Sequence, residues 1–374
     1  VNGSLRSSLL APALAIVVSA LLCALILLFS GANPFDALGE MIRHVVVEKQ
    51  VKVDIVNSTA IYILAALAAA IGFQMNLLNI GIEGQYRIGA LVAAIVGSAL
   101  VLPPVLHWIV ILIVAMIAGA LWALLPAILK VTRGVHEVLS TIMMNAIAFG
   151  LAAYLIRRDQ FGILVGNNVS TEPIPDSGLV PGISFGDEGT MFGLVFLAVL
   201  AAAVYGVTMQ RTRFGFELKA SGLSPTAAAA GGVNAKRMIV IALLTSGAVA
   251  GLVGMPEILG RDHAYTLNFA AGYGFAGLGI ALLGRNHPIG IAFGALLWAF
   301  LEKSKAALDN VGVPREIATI MQGLIVLSVV VAYEVVKRLD QAAEQRRVGR
   351  ALVRAEQAEK DDLTDSAAEP EATK

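Results

Sequence analysis

Residues 74–85, QMNLLNIGIEGQ, decide how this chain is read. They set one acid, two Asn, two Gln and two Gly between the apolar runs Ile55–Phe73 and Ile88–Leu102. A bilayer core holds no water, so each polar group there needs an internal partner or a wet cavity. Membrane helices broken by Gly and polar residues near mid-depth are where transporters build their sites. Such a stretch in a greasy chain implies the passage of a solute through a polytopic membrane protein.

The composition agrees. Hydrophobic residues make up 57% of the 374 residues and charged residues 14%, against about 25% charge in an ordinary soluble domain, and the mean hydropathy is +0.78. Lys plus Arg and Asp plus Glu both count 27, so the formal charge gives no sign of a nucleic-acid partner. Cys23 is the one cysteine, which excludes an intrachain disulfide framework.

The expected fold is all-α with about ten transmembrane helices. Apolar runs fall at 9–29, 55–75, 86–102, 105–129, 136–156, 191–209, 238–260, 267–284, 288–305 and 314–336. The first is too long for a signal h-region of roughly 7–15 residues and is read as a retained helix. Pro103-Pro104 and Asn286-His287-Pro288 each divide a long stretch into two crossings. An even number of crossings puts both termini on one side. Lys130, Arg133, Arg211, Arg213, Lys219, Lys236, Arg237, Arg285, Lys337 and Arg338 then share the side of Arg6, which the positive-inside rule makes cytoplasmic. Loop 31–54, with Arg43, Lys49 and Lys52, runs against this count and reads as an amphipathic interfacial helix starting near Asn33-Pro34. The expected organisation is a permease domain at 1–336, with an extracytoplasmic loop at 157–190 and a cytoplasmic coupling loop at 210–237. A cytoplasmic charged tail, partly disordered, follows at 337–374.

Glu83 is the first candidate for transport chemistry, because a carboxylate at membrane depth costs several kcal/mol, roughly 2.5–3.5 for Asp on insertion scales. Two readings stay open: it binds a solute hydroxyl, amine or ion, or it pairs with Arg87 one turn on. Asn76, Asn79 and Gln85 offer neutral donors and acceptors suited to sugars or nucleobases, or act as interhelical glue. A second break, AAGYGFAGLG at 270–279, brings Tyr273 and Phe275, which could stack on a planar ligand. Gly81–Gly84 and Gly274–Gly277 occupy comparable places in the two halves, as paired broken helices of an inverted repeat would. Gly247-xxx-Gly251 and Gly290-xxx-Gly294 are read as packing faces. In loop 210–237, Ser224-Pro225 spells an N-cap followed by Pro at the first helical position, and Gly231-Gly232 a stop.

Four motifs together resemble one family. NIGIEGQ at 79–85 looks like the N-I-G-x-E-G-Q signature of bacterial ABC importer permeases for nucleosides and simple sugars. GVHEVLSTIMMN at 134–145, Phe214–Arg237 and ALLGRNHP at 281–288 are similar to three further stretches of the same permeases. The resemblance runs in order over roughly 55–335 and is nearest the larger permease of the nucleoside-type pair. It implies a multi-pass subunit of the bacterial cytoplasmic membrane with no catalytic or metal-binding residues and no cofactor of its own. ATP and Mg would be bound by a partner ATPase, since no G-x-x-x-x-G-K-[ST] occurs here. A second, related permease (a heterodimer) and a lipid-anchored substrate-binding protein would complete the machine. It also implies that Phe214, Gly215, Glu217, Gly222, Ser224, Pro225 and Gly232 build the segment that engages the ATPase. Asn79, Glu83, Gln85, Asn145, Tyr273 and Phe275 would line the substrate pathway. One departure stands out: similar permeases commonly read G-F-D-G where this chain has Gly274-Phe-Ala-Gly277, so an acid suited to a ribose hydroxyl is missing at Ala276. The alternatives are a simple-sugar permease of the same kind and, from another class, an ion-coupled secondary transporter using Glu83. A proton relay would need further intramembrane acids, and the comparable ones, Glu137 and Glu257, fall near predicted helix ends.

Overall fold

A computed structural model describes residues 2–368. All ten apolar runs form helices. In chain order the helices are α1 (Asn2–Phe29), α2 (Pro34–Val47), α3 (Lys49–Gln74), α4 (Ile82–Ala99), α5 (Pro104–Arg133), α6 (Glu137–Leu155), α7 (Val195–Arg211), α8 (Arg213–Leu223), α9 (Pro225–Ala230), α10 (Ala235–Gly251), α11 (Met255–Glu257), α12 (Tyr273–Leu283), α13 (Pro288–Lys303), α14 (Lys305–Asp309) and α15 (Glu316–Ala368). Two small antiparallel hairpins lie in the loop between α6 and α7: β1 (Gly162–Val165) with β2 (Asn168–Thr171), and β3 (Ile183–Ser184) with β4 (Thr190–Met191).

Fewer helices than ten are long enough to cross a bilayer alone. Among the described residues, five pass on length and apolarity: α3, α5, α6, α10 with its continuation to Asp262, and α15 to Leu339. Seven pass if the bent pairs α1–α2 and α7–α8 each count as one span. The runs at 191–209, 267–284 and 288–305 give helices of 17, 11 and 16 residues, short of the roughly 20 that a crossing needs. For α12 the shortfall has local causes. Gly272 adopts φ 95 just before α12, and the 284–287 turn holds Arg285 and Asn286 at φ 54 and 56, ending α12 before Pro288 opens α13.

The α3 helix forms the centre of the molecule. Its residues Ala60–Gly72 are all buried, and α7, α10, α12 and α13 pack around it. Small residues allow this, since helices inside a membrane gain by close van der Waals approach rather than by hydrophobic transfer. The tightest contact joins α5 to α10: a methyl placed at Gly251 would lie 2.0 Å from Ala115 O, and one at Gly119 2.2 Å from Gly247 O. Gly247 and Gly251 thus act as the expected packing face. Gly290 does the same against Gly284, where an added methyl would meet Gly284 O at 2.4 Å.

The ends of the bundle follow from α1 and α15. Ala15 packs with Val329 and Ala332, and Leu27 with Met321, so the two helices run antiparallel. The α15 helix continues unbroken through the charged segment to Ala368; the remainder of the tail expected to be disordered, 369–374, lies outside the described residues. The expected amphipathic helix is present as α2. Asn33 caps it by accepting from Phe35 N, Pro34 opens it, and it turns 103° away from α1.

Candidate transport site and coupling segment

The two sequence breaks, some 190 residues apart, meet in space. The Glu83 carboxylate at the start of α4 accepts from Gly272 N (2.8 Å) and Gly274 N (3.0 Å) at the start of α12. Those N–H groups have no intrahelical partner, and a carboxylate there is favoured by the helix dipole. The Tyr86 hydroxyl lies 2.9 Å from Glu83 Oε1 and 2.7 Å from Ala270 O, donating to one at a time. Arg87 Nε stands 3.5 Å from Glu83, and its Nη2 donates to Phe269 O and Ala270 O at 3.2 Å each. Its guanidinium lies 4.2 Å from the Phe149 ring centre, within reach of a cation–π contact. Glu83 is fully buried. The Arg87 pairing is present, but the backbone of α12 is the larger partner. Gly274 is needed for this approach, because a methyl there would meet Glu83 N at 2.5 Å.

The amides hold the rest of the break. Asn79 and Gln85 exchange bonds at 3.0 and 3.1 Å, and Asn79 Nδ2 also donates to Ser246 Oγ at 2.8 Å. Ser246 passes the connection to Ala68 O in α3 at 2.6 Å. Asn145 in α6 accepts from Gly84 N (2.8 Å) and donates to Ile80 O (2.9 Å). The backbone groups Gly84 N and Ile80 O at the break are therefore satisfied by one side chain of α6, Asn145.

The six expected pathway residues do not share one cavity. Asn79, Glu83, Gln85 and Asn145 are buried in this packed junction. Tyr273 and Phe275, on the other face of α12, line a cavity of about 580 Å³ bounded by α3, α12, α13 and α15. Ala276, the position of the missing acid, lies on the same wall. Glu83 draws the backbone of α12 onto α4, and the Tyr273 ring stands between the two regions, 6.0 Å from the Tyr86 ring and on the cavity wall. Sequence reading missed the other cavity residues, Tyr62, Trp298, Glu302, Lys305 and Gln322. Their one sequence signal is the charged Glu302-Lys303-x-Lys305 closing an apolar run. Glu137 and Glu257 belong to separate pairs, with Lys130 at 2.5 Å and Arg261 at 2.9 Å, so the three acids form no relay.

The segment expected to engage an ATPase, 214–232, forms two helices, α8 and α9. Thr212 caps α8 through Gly215 N (3.3 Å), and Ser224 caps α9 through Ala227 N (3.3 Å) with Pro225 at the first position. Pro225 lacks an N–H and its ring clashes with a continuing helix, so α8 cannot run into α9. Gly232, at φ 81, ends α9, and Val233 N donates back to Ala228 O. Gly215 and Gly222 face inward: methyls there would meet Thr208 O at 2.4 Å and Met75 Cα at 2.7 Å. Asn76 Nδ2 donates to Gly222 O (3.1 Å), joining this segment to the residues just before NIGIEGQ. Phe214 packs on the core, and Glu217 pairs with Arg213 at 2.6 Å. The exposed apolar residues are others: Phe216, 70% exposed, and Leu223, 85% exposed.

Comparison with known proteins agrees with this architecture. The family model described as branched-chain amino acid transport system / permease component matches residues 52–330. The chain belongs to this permease family. It is 33% identical over 335 residues to the guanosine ABC transporter permease protein NupP of Bacillus subtilis, covering 88% of this chain and 95% of that one. It is 30% identical to the nucleoside ABC transporter permease protein NupB of Lactococcus lactis, over 87% of this chain and 91% of that one. It is 31% identical to the glucose ABC transporter permease protein TsgB13 of Haloferax volcanii, over 84% and 85%. The two bacteria also hold NupQ and NupC, further permease proteins of the same respective names, each 27% identical to this chain. No solved structure matches. As a permease component, the chain is a multi-pass membrane transport subunit and not itself an enzyme.

Proposed function

We propose that the chain is the membrane-spanning permease of an ATP-driven importer that carries nucleosides into the cell. The observation that carries this reading is the end-to-end likeness to the guanosine permease, 95% of whose length is covered. The paired names NupP with NupQ and NupB with NupC support a second, related permease as partner. A cytoplasmic ATPase and a lipid-anchored binding protein complete the assembly in this reading, with ATP and Mg held by the ATPase.

In this reading the capped helices α8 and α9 transmit the motor's stroke, with Phe216 and Leu223 meeting the ATPase. Their anchors on Met75 and Asn76 carry the motion to the broken segment that Asn79, Glu83, Gln85 and Asn145 hold together. The positive residues of 210–237, with Arg285, Lys337 and Arg338, support a cytoplasmic position for this end and for both termini under the positive-inside rule. Loop 157–190 then faces outward.

Uptake of labelled guanosine, uridine, ribose and glucose into cells with and without the gene tests the substrate. The expected result is loss of nucleoside uptake alone; loss of sugar uptake alone would assign the chain to the sugar branch. For coupling, Ser224→Ala with Pro225→Ala should leave the complex assembled but cut transport per ATP hydrolysed by tenfold or more. Transport by that variant driven by a proton or sodium gradient would overturn the ABC reading.

A further inference from the structure

The cavity between α3, α12, α13 and α15 holds a set of groups that the packing of the bundle does not use. Its volume, about 580 Å³, falls within the roughly 300–1,000 Å³ of small-molecule pockets. Tyr62 forms an aromatic corner with Tyr273, ring centres 5.7 Å apart and planes at 86°, and Trp298 stands 6.5 Å from Tyr62. A planar group laid on one of these rings meets the next edge-on, the arrangement aromatic quadrupoles favour. Behind the corner, the Tyr273 hydroxyl donates to Glu257 Oε1 at 2.9 Å, which fixes its ring. Opposite lies a polar wall. Glu302 Oε2 receives both Lys305 Nζ (2.6 Å) and Gln322 Nε2 (3.2 Å). The second oxygen of Glu302 and the carbonyl oxygen of Gln322 accept no hydrogen bond from any described residue. Gln322 itself is 3% exposed, so a buried amide is committed on its nitrogen and open on its oxygen.

We propose that this cavity is a nucleoside-binding subsite, with the base against the Tyr62–Tyr273–Trp298 corner and the ribose hydroxyls donating to Glu302 and Gln322. The assignment rests on the nucleoside reading above and adds the residues that perform it. Two open acceptors beside an aromatic corner suit a ligand with a flat apolar face and a diol, and Lys305 offsets the Glu302 carboxylate, with Lys303 on the same wall. Tyr62 lies 12 residues before Gln74, about 18 Å along α3 at 1.5 Å per residue, so the cavity sits near the middle of that 26-residue helix, while the α8–α9 segment is anchored just past its C-terminal end at Met75 and Asn76.

The test uses the assembled importer in membrane vesicles, with Cys23→Ala and a single Thr319→Cys at the exposed rim of the cavity. Modification by a charged methanethiosulfonate reagent is timed with guanosine, with free ribose and with neither. Guanosine should slow modification at least fivefold and ribose by less than twofold. Trp298→Ala and Gln322→Leu should each abolish the protection while the rate without ligand stays unchanged, which shows that the rim is still folded. Trp298→Phe should restore protection. If the importer moves nucleosides but guanosine does not slow modification, the subsite is wrong and the functional reading stands. If it moves no nucleoside at all, that reading is wrong. Equal protection by ribose would remove the base from the corner and overturn the assignment.

Discussion

The junction around Glu83 and the cavity beyond α12 are two polar regions separated by one short helix, and they are built to opposite rules. At the junction every side chain named in the break has its partner inside the protein: Glu83 on the α12 backbone, Asn145 on Gly84 and Ile80, Asn79 on Gln85 and Ser246. Across α12, the second oxygen of Glu302 and the carbonyl oxygen of Gln322 take no partner, and the aromatic rings of Tyr62 and Tyr273 enclose space rather than fill it. Polar residues within a membrane chain thus serve either as structural joints or as lining. What separates the two is whether their hydrogen-bonding capacity is used up at home.

The largest effect is expected at Glu83. Glu83→Ala leaves Arg87 buried without its carboxylate and opens the N–H groups of Gly272 and Gly274. Breaking a buried pair on one side costs about 3–5 kcal/mol. The purified complex should show a lower thermal midpoint and a reduced yield, with Arg87→Ala falling in the same direction. A Glu83→Ala protein with unchanged thermal midpoint but raised half-saturation for guanosine would move Glu83 from joint to lining.

Much of this was legible in the chain. All ten helical runs, the Pro103-Pro104 and Asn286-His287-Pro288 breaks, the α2 cap at Asn33 and the α9 cap at Ser224-Pro225 rest on local rules of helix starts and stops. The importance of 74–85 was legible for a similar reason, since polar residues between two apolar runs must be satisfied somehow. The manner of satisfaction was not. Glu83 finds its main partners at Gly272 and Gly274, and nothing in the spacing of either segment specifies that meeting. The late start of α12 was hidden because apolar residues already run from 267, ahead of Gly272 at φ 95 where the helix begins. The cavity was hidden for a third reason: Tyr62, Trp298 and Gln322 each sit singly in an apolar run, and only the fold brings them to one wall.

Asn145 should give an intermediate effect. Asn145→Ala orphans Gly84 N and Ile80 O, and a buried polar group without a partner costs about 1–3 kcal/mol. Asn145→Asp keeps the acceptor for Gly84 N but loses the donor to Ile80 O, so it should recover part of the lost stability only. Thermal unfolding of the two variants beside the parent reads the order directly. Equal losses would show that the acceptor contributes nothing and that the joint is held by Asn79 and Gln85 instead.

The smallest effect belongs to Phe275. Its side chain lies at the cavity, 54% exposed, so truncation removes little buried surface and leaves no polar group unpaired. Phe275→Ala should keep the thermal midpoint within the spread of repeat measurements, in contrast to Glu83→Ala and Asn145→Ala. The same position sharpens the contrast by accessibility. In a Cys23→Ala background, Phe275→Cys should react readily with a small hydrophilic thiol reagent, whereas Ser246→Cys, at a fully buried site bonded to Asn79 and Ala68, should react only after the protein is unfolded. The reverse order would mean that water reaches the junction rather than the cavity, and the division between joint and lining would have to be redrawn with Asn79, Gln85 and Glu83 on the pathway.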